Sequence, residues 1–147
     1  MVTKAFSIED GNLNKATLVT SRNKLYSDID LSFENRPSGD IYKKVDVAAV
    51  KQSVRNILLT NHGEKPFQPF FGANLRALLF ELTSPTLEED INSAIRVALR
   101  NYEPRAVIQR VIVQTSPDYN SVWATVEFRI INTTETVSVE VDLTRLR

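Results

Sequence analysis

Few residues in this chain could do chemistry, and their spacing limits what they could do. His62 is the only histidine and cysteine is absent, so thiolate nucleophiles, disulfides and multi-histidine metal sites are excluded. His62 falls in a turn after a predicted helix, where positive charge complements the helix C-terminus. Glu64 and Glu81 flank an aromatic segment and are the one pair that could be imagined as glycosidase acids. Such a pair needs carboxylates about 5 to 10 Å apart, one of them with a raised pKa. Neither condition can be read from this spacing. Glu88, Glu89 and Asp90 resemble a cation cluster, but a first helical turn explains them through the helix dipole. Asn132-Thr133-Thr134 would be a glycosylation acceptor only in a secreted chain. With four glycines there is no phosphate-cradling loop. No catalytic, metal or cofactor site is expected.

One short segment has a defined geometry. In Tyr102-Glu103-Pro104-Arg105, the proline fixes the backbone between an acid and an arginine. The planar guanidinium can bond a carboxylate, or the carbonyls at a helix end, in two places. The pair is then either an internal latch or a recognition point for a partner's helices. The residue chemistry alone favours the latch.

The elements that must position this segment follow from periodicity. Residues 1–23 are polar, with a turn at Gly11-Asn12-Leu13-Asn14, and are expected to form an arm. Leu25, Ile29, Leu31 and Phe33 share odd parity, which predicts a short half-buried strand ended by Arg36-Pro37-Ser38-Gly39. Asp46 is a candidate N-cap for a helix carrying Val47, Val50, Val54, Ile57 and Leu58. That helix is expected to stop near Asn61-His62-Gly63, with Gly63 in the left-handed conformation. The segment from Pro66 to Gly72 is stiff and non-helical. A short helix is predicted from Asn74 to Phe80. Thr86 and Glu89 predict a capping box for a third helix, with an apolar stripe from Leu87 through Ile91, Ile95 and Leu99 to Tyr102.

From Ala106 onward the period is two. The first strand is read with Val107, Val111 and Val113 on one face and Ile108 and Ile112 on the other. The second buries Val122, Ala124, Val126, Phe128 and Ile130. The third buries Val137, Val139, Val141 and Leu143. Turns at Ser116–Asn120 and Asn132–Glu135 are short enough for hairpins. The predicted fold is α+β in one domain spanning residues 1–147. Residues 25–105 are mainly helical, and residues 106–147 form a three-stranded antiparallel meander packed on the helices. Its last strand has no proline or lysine to blunt its edge. Either the same chain covers that edge, or a partner adds a strand there.

Composition sets the class. The 147 residues are 42% apolar and 24% charged, with 18 basic and 18 acidic residues. That excludes a disordered chain and the charge excess on which non-specific nucleic-acid binding relies. No run approaches the roughly 20 apolar residues that a membrane span needs, and the first residues lack a secretory pattern. A soluble protein made in a cytoplasm is expected.

Several segments together carry a family resemblance. They are Asp28–Phe33, Ser53–Phe67 (which contains Gly63-Glu64-Lys65-Pro66-Phe67), Pro69-Phe70-Phe71-Gly72, Leu78-Leu79-Phe80-Glu81 and Tyr102–Arg105. In this order, across residues 25 to 131, they resemble the small baseplate wedge family of contractile-tailed phages. That family also includes a component of type VI secretion baseplates and is sometimes labelled lysozyme-like. The Asp-Leu-Ser-Phe stretch, here Asp30 to Phe33, points to the phage branch. The resemblance implies a virion protein in six copies around the tail tube, assembled in the host cytoplasm. It implies that Glu103, Pro104 and Arg105 contact the core bundle of the other wedge proteins. It also implies that the C-terminal strand, with Val137, Val139 and Val141, starts sheath assembly by pairing with the tail sheath protein. Where the family commonly has arginine after Gly-Glu, this chain has Lys65, which offers a point charge in place of a bidentate fork. The competing enzymatic reading is a peptidoglycan hydrolase using Glu64 or Glu81.

Overall fold

A computed structural model describes residues 26–34, 37, 39–80, 86–116, 121–131, 133 and 135–144, with the side chains of Phe80 and Ser116 excepted. The expected arm, Leu25, Glu81, Pro85 and most of the first hairpin turn lie outside the described residues. In chain order the elements are β1 (Ser27–Ile29), β2 (Lys43–Val45), α1 (Val47–Leu59), α2 (Leu75–Phe80), α3 (Leu87–Tyr102), β3 (Ala106–Ser116), β4 (Ser121–Ile130) and β5 (Thr136–Thr144). This is the expected α+β architecture: a strand pair, three helices and an antiparallel sheet in the order β3-β4-β5.

The core lies between one face of that sheet and the helices. Phe128, Val126, Ile130 and Ala124 of the central strand are fully buried, as are Val50, Val54, Ile57 and Leu58 of α1 and Ile91, Ile95 and Leu99 of α3. α3 lies over β3 and α1 over β5, on the same side. Strict alternation in β4 and β5 supplies the sheet's apolar face, and the 3.6-residue period supplies the helical stripes.

Four local readings are corrected, and the end of α1 falls close to where it was expected. In β3 the register shifts between Ile108 and Arg110, so Gln109 is an extra residue. The bulge reverses parity. Ala106 and Ile108 face the core before it and Val111 and Val113 after it, while Val107 is exposed. The N-terminal strand is only three residues long and exposed rather than half-buried, and Ile29, Leu31 and Phe33 stay outside the core. It survives by pairing with β2, which has no hydrophobic period of its own to announce it. Helix α1 closes at Thr60, whose extended backbone and N–H bond to the Asn56 carbonyl end it beside the expected Asn61-His62-Gly63, and Gly63 takes the expected left-handed φ of +84°. The capping box at α3 does not form. The Thr86 hydroxyl bonds to the Asp90 carboxylate instead. Asp46 occupies the N-cap position of α1, but its carboxylate accepts the Tyr26 N–H rather than a helix N–H.

Candidate functional site

The corner between α3 and β3 holds the most strongly organised polar group among the described residues. Helix α3 stops at Glu103, whose backbone N–H still reaches the Leu99 carbonyl, and Pro104 turns the chain into β3. The turn brings Arg105 onto Glu103 in a two-point pair, Nε to Oε1 at 2.5 Å and a terminal nitrogen to Oε2 at 2.7 Å. Glu103 is only 2% exposed, whereas the Arg105 side chain is 36% exposed. Burial pushes the Glu103 carboxyl up. The bonds from Arg105 and Ser53, with the charge of Arg105, outweigh that and hold it below its ordinary value. The bond to Glu103 raises the Arg105 pKa further still. Across the guanidinium lies the Tyr26 ring, 5.1 Å from ring centre to the charged carbon. The predicted latch is therefore present. It leaves Pro104 and the outer part of Arg105 open to solvent, while the Glu103 carboxylate is spent internally.

Beside this corner stands the aromatic segment. Tyr102 donates its hydroxyl to the Phe70 carbonyl at 2.7 Å and packs its ring against Phe71, centroids 4.9 Å apart. Lys65 lies over the Phe71 ring at 4.0 Å, and the Gly63 N–H bonds to the Pro69 carbonyl at 2.7 Å. Gly72 must be glycine. Its φ is +102°, and a Cβ there would overlap the Thr60 carbonyl. These ties hold Phe67, at φ +63°, fully exposed, and Phe70 mostly exposed beside His62. Exposure of two rings on a fastened loop is a feature that periodicity cannot show, because the loop has no period.

Glu64 is a turn residue. Its carboxylate accepts the Asn61 backbone N–H at 2.9 Å and the Asn61 amide at 2.7 Å. Those two bonds, helped by the charge of Arg76, outweigh the opposing effect of burial and hold its pKa below the usual value. A glycosidase acid needs the reverse shift. Glu81, the partner imagined for it, lies outside the described residues.

The sheet has two outer edges with different surroundings. Along β3, the bulge at Gln109 breaks the ladder, Asn92 donates its amide to the Val111 carbonyl, and the Thr115 N–H is taken by the Glu88 carboxylate. α3 thus supplies side chains to two backbone groups of the β3 edge. Along β5 no bulge, proline, lysine or capping side chain occurs among the described residues. Val137, Val139 and Val141 are 4 to 8% exposed and point into the core. What they leave outward is backbone. Gln52 of α1, buried and unremarked by sequence reasoning, fastens the strand-pair region near this edge by donating to the Ile29 carbonyl at 2.7 Å. An isolated polar residue on an apolar helix face could have flagged it.

Comparison with known proteins agrees with this arrangement. Residues 45–135 match the family described as baseplate wedge protein gp25. The baseplate wedge protein gp25 of Enterobacteria phage T4 is 36% identical over 107 residues, covering 73% of this chain and 80% of the phage protein. The same fold occurs in a Geobacter sulfurreducens protein provisionally described as a tail lysozyme, at TM-score 0.60 and 22% identity over 67% of this chain and 89% of that one. It occurs again in a chain of the anti-feeding prophage baseplate, with TM-score 0.58, 20% identity and coverage of 80% and 83%. A chain of the R2 pyocin baseplate after contraction gives 0.51, 21%, 82% and 99%. With a family match over more than half of its length and a relative of 36% identity across nearly three quarters of it, this chain belongs to the gp25 family of baseplate wedge proteins.

Proposed function

We propose that the chain is a non-catalytic adaptor in the virion baseplate, six copies to a baseplate, that joins the wedge core to the first ring of tail sheath. Pro104 and the exposed part of Arg105 meet the core bundle of the other wedge proteins. Glu103 acts behind them, holding the guanidinium in one orientation. The open backbone of β5 receives a strand of the tail sheath protein, while Val137, Val139 and Val141 keep that strand flat against the core. The observation that supports the reading is the contrast between the sheet edges among the described residues: α3 side chains bond to two backbone groups of β3, and no side chain bonds to the outer edge of β5. The six-fold baseplate of the anti-feeding prophage, which contains a chain of this fold, supports the copy number.

Co-expression with the other wedge proteins, followed by light scattering on a size-exclusion column, tests the core contact. The wild type is expected in a defined complex and a folded Arg105→Ala chain alone. A wild-type chain that elutes alone in every combination sinks the adaptor reading. For the second contact, hydrogen exchange on Thr136–Thr144 is followed with and without the sheath protein, and slowing confined to that strand is expected. Glu64→Gln separates the hydrolase reading: it should leave assembly intact, and any peptidoglycan cleavage that it abolishes would restore the enzyme.

A further inference from the structure

Between α1 and the open edge of β5 runs a groove of about 630 Å³. Ala48, Lys51 and Arg55 line its helix wall, Lys44 one end, and Ser138 and Glu140 the strand side. Lys44 already pairs with Asp30 at 3.1 Å. Lys51 and Arg55 are exposed and have no ion-pair partner among the described residues. They stand one helical turn apart, where like charges repel unless something negative lies between them.

We infer that the groove selects an extended protein segment bearing acidic side chains two residues apart, which meet Lys51 and Arg55 as the segment pairs with β5. The inference rests on the strand-pairing reading above and specifies the partner's chemistry. A strand added to β5 turns alternate side chains toward the helix side of the sheet, the side that Val137, Val139 and Val141 already face. Those side chains recur about every 6.6 Å along a strand, comparable to the roughly 5 to 6 Å between Cβ atoms one helical turn apart. Two acids on one strand face therefore fit two cations on one helix face. Ala48 leaves room for the strand to approach.

A second copy of this chain does not fit. Its own acids, Glu140 and Asp142, lie on the exposed face of β5 and the valines on the helix face. A joined sheet would place valines beside the cationic wall and bring the Lys51–Arg55 pairs of the two copies onto the same side. The wall thus disfavours self-pairing while attracting an acidic strand.

The test titrates the chain with the tail sheath protein of the same particle, at low and high salt, reading affinity and exchange of the outward β5 amides together. The double variant Lys51→Glu, Arg55→Glu changes exposed residues only, and its fold is checked by circular dichroism. Supporting results are an affinity loss of about tenfold or more in the variant and weaker wild-type binding at high salt. Equal affinity for wild type and variant, with β5 amides protected in both, overturns the acidic-strand inference and leaves strand pairing standing. Absence of added protection at the outward β5 amides in wild type and variant alike overturns both. Protection of the outward β5 amides, those not paired with β4, in the free wild-type chain shows the groove filled by the chain's own residues and overturns the inference as well.

Discussion

At Glu103 a carboxylate is buried almost completely and remains ionised because Arg105 and Ser53 supply its bonds. Removing the guanidinium leaves that charge uncompensated. A fully buried pair broken in this way loses roughly 3–5 kcal/mol. Water reaches a third of Arg105, so Arg105→Ala is expected to cost about 2–3 kcal/mol by urea denaturation, and Arg105→Lys less. The pH dependence has a definite sign. The folded-state pKa of Glu103 is depressed below 4.5, so its contribution is complete above that value and disappears as pH falls through the folded pKa. Thermal melts between pH 6 and pH 3 should show this loss, and Glu103→Gln should flatten it. An unchanged slope in Glu103→Gln would place the acid sensitivity elsewhere.

Helix α1, the loop to Gly72 and helix α3 are held together at two crossings, Gly72 against Thr60 and Tyr102 against Phe70 and Phe71. Gly72→Ala would need both a left-handed backbone and the space of the Thr60 carbonyl. A loss of about 1–3 kcal/mol in chemical denaturation is expected. Phe67 is the contrasting case. Its ring touches solvent on all sides, so Phe67→Ser should leave the melting temperature within a degree or two of the wild type. A large drop would mean that the ring is covered within the chain. In β3 the bulge at Gln109 lets Ile108 and Val111 share a face. Deleting Gln109 would return Val107 to the core side and expose Ile108, with a lower melting temperature as the readout.

On the scale of the whole molecule, the sheet is a half-sandwich whose apolar face is closed by α1 and α3 and whose other face meets solvent. Phe128 sits at the centre of that contact with no exposure. Phe128→Ala should cost about 3–5 kcal/mol, enough to unfold a domain of ordinary stability at raised temperature. Native-state hydrogen exchange should be slowest in β4, which is paired on both sides. The outward amides of β5 should exchange faster than Thr115 of β3, because the Glu88 carboxylate occupies the latter. Reversal of that order would mean that β5 is the covered edge.

The residues by themselves determined much of this. Alternation from Val122 to Ile130 and from Val137 to Leu143 dictates two strands with one buried face, because only a pleated strand turns every second side chain the same way. The stripe from Ile91 to Leu99 dictates a helix for the corresponding reason. Pro104 between an acid and an arginine made their two-point contact legible, since a fixed short span leaves them few other places to go. Tertiary structure decided what has no local signal. Hydrogen bonds to a distant element built the pair β1 and β2, and an extra residue in β3 reversed its parity where no side chain announces it. Packing in three dimensions placed Glu88 and Asn92 on the β3 edge and left Lys51 and Arg55 beside the β5 edge. Among the described residues, which edge is met by helix side chains depends on which helix lies over it, and that is a property of the assembled layers rather than of any segment.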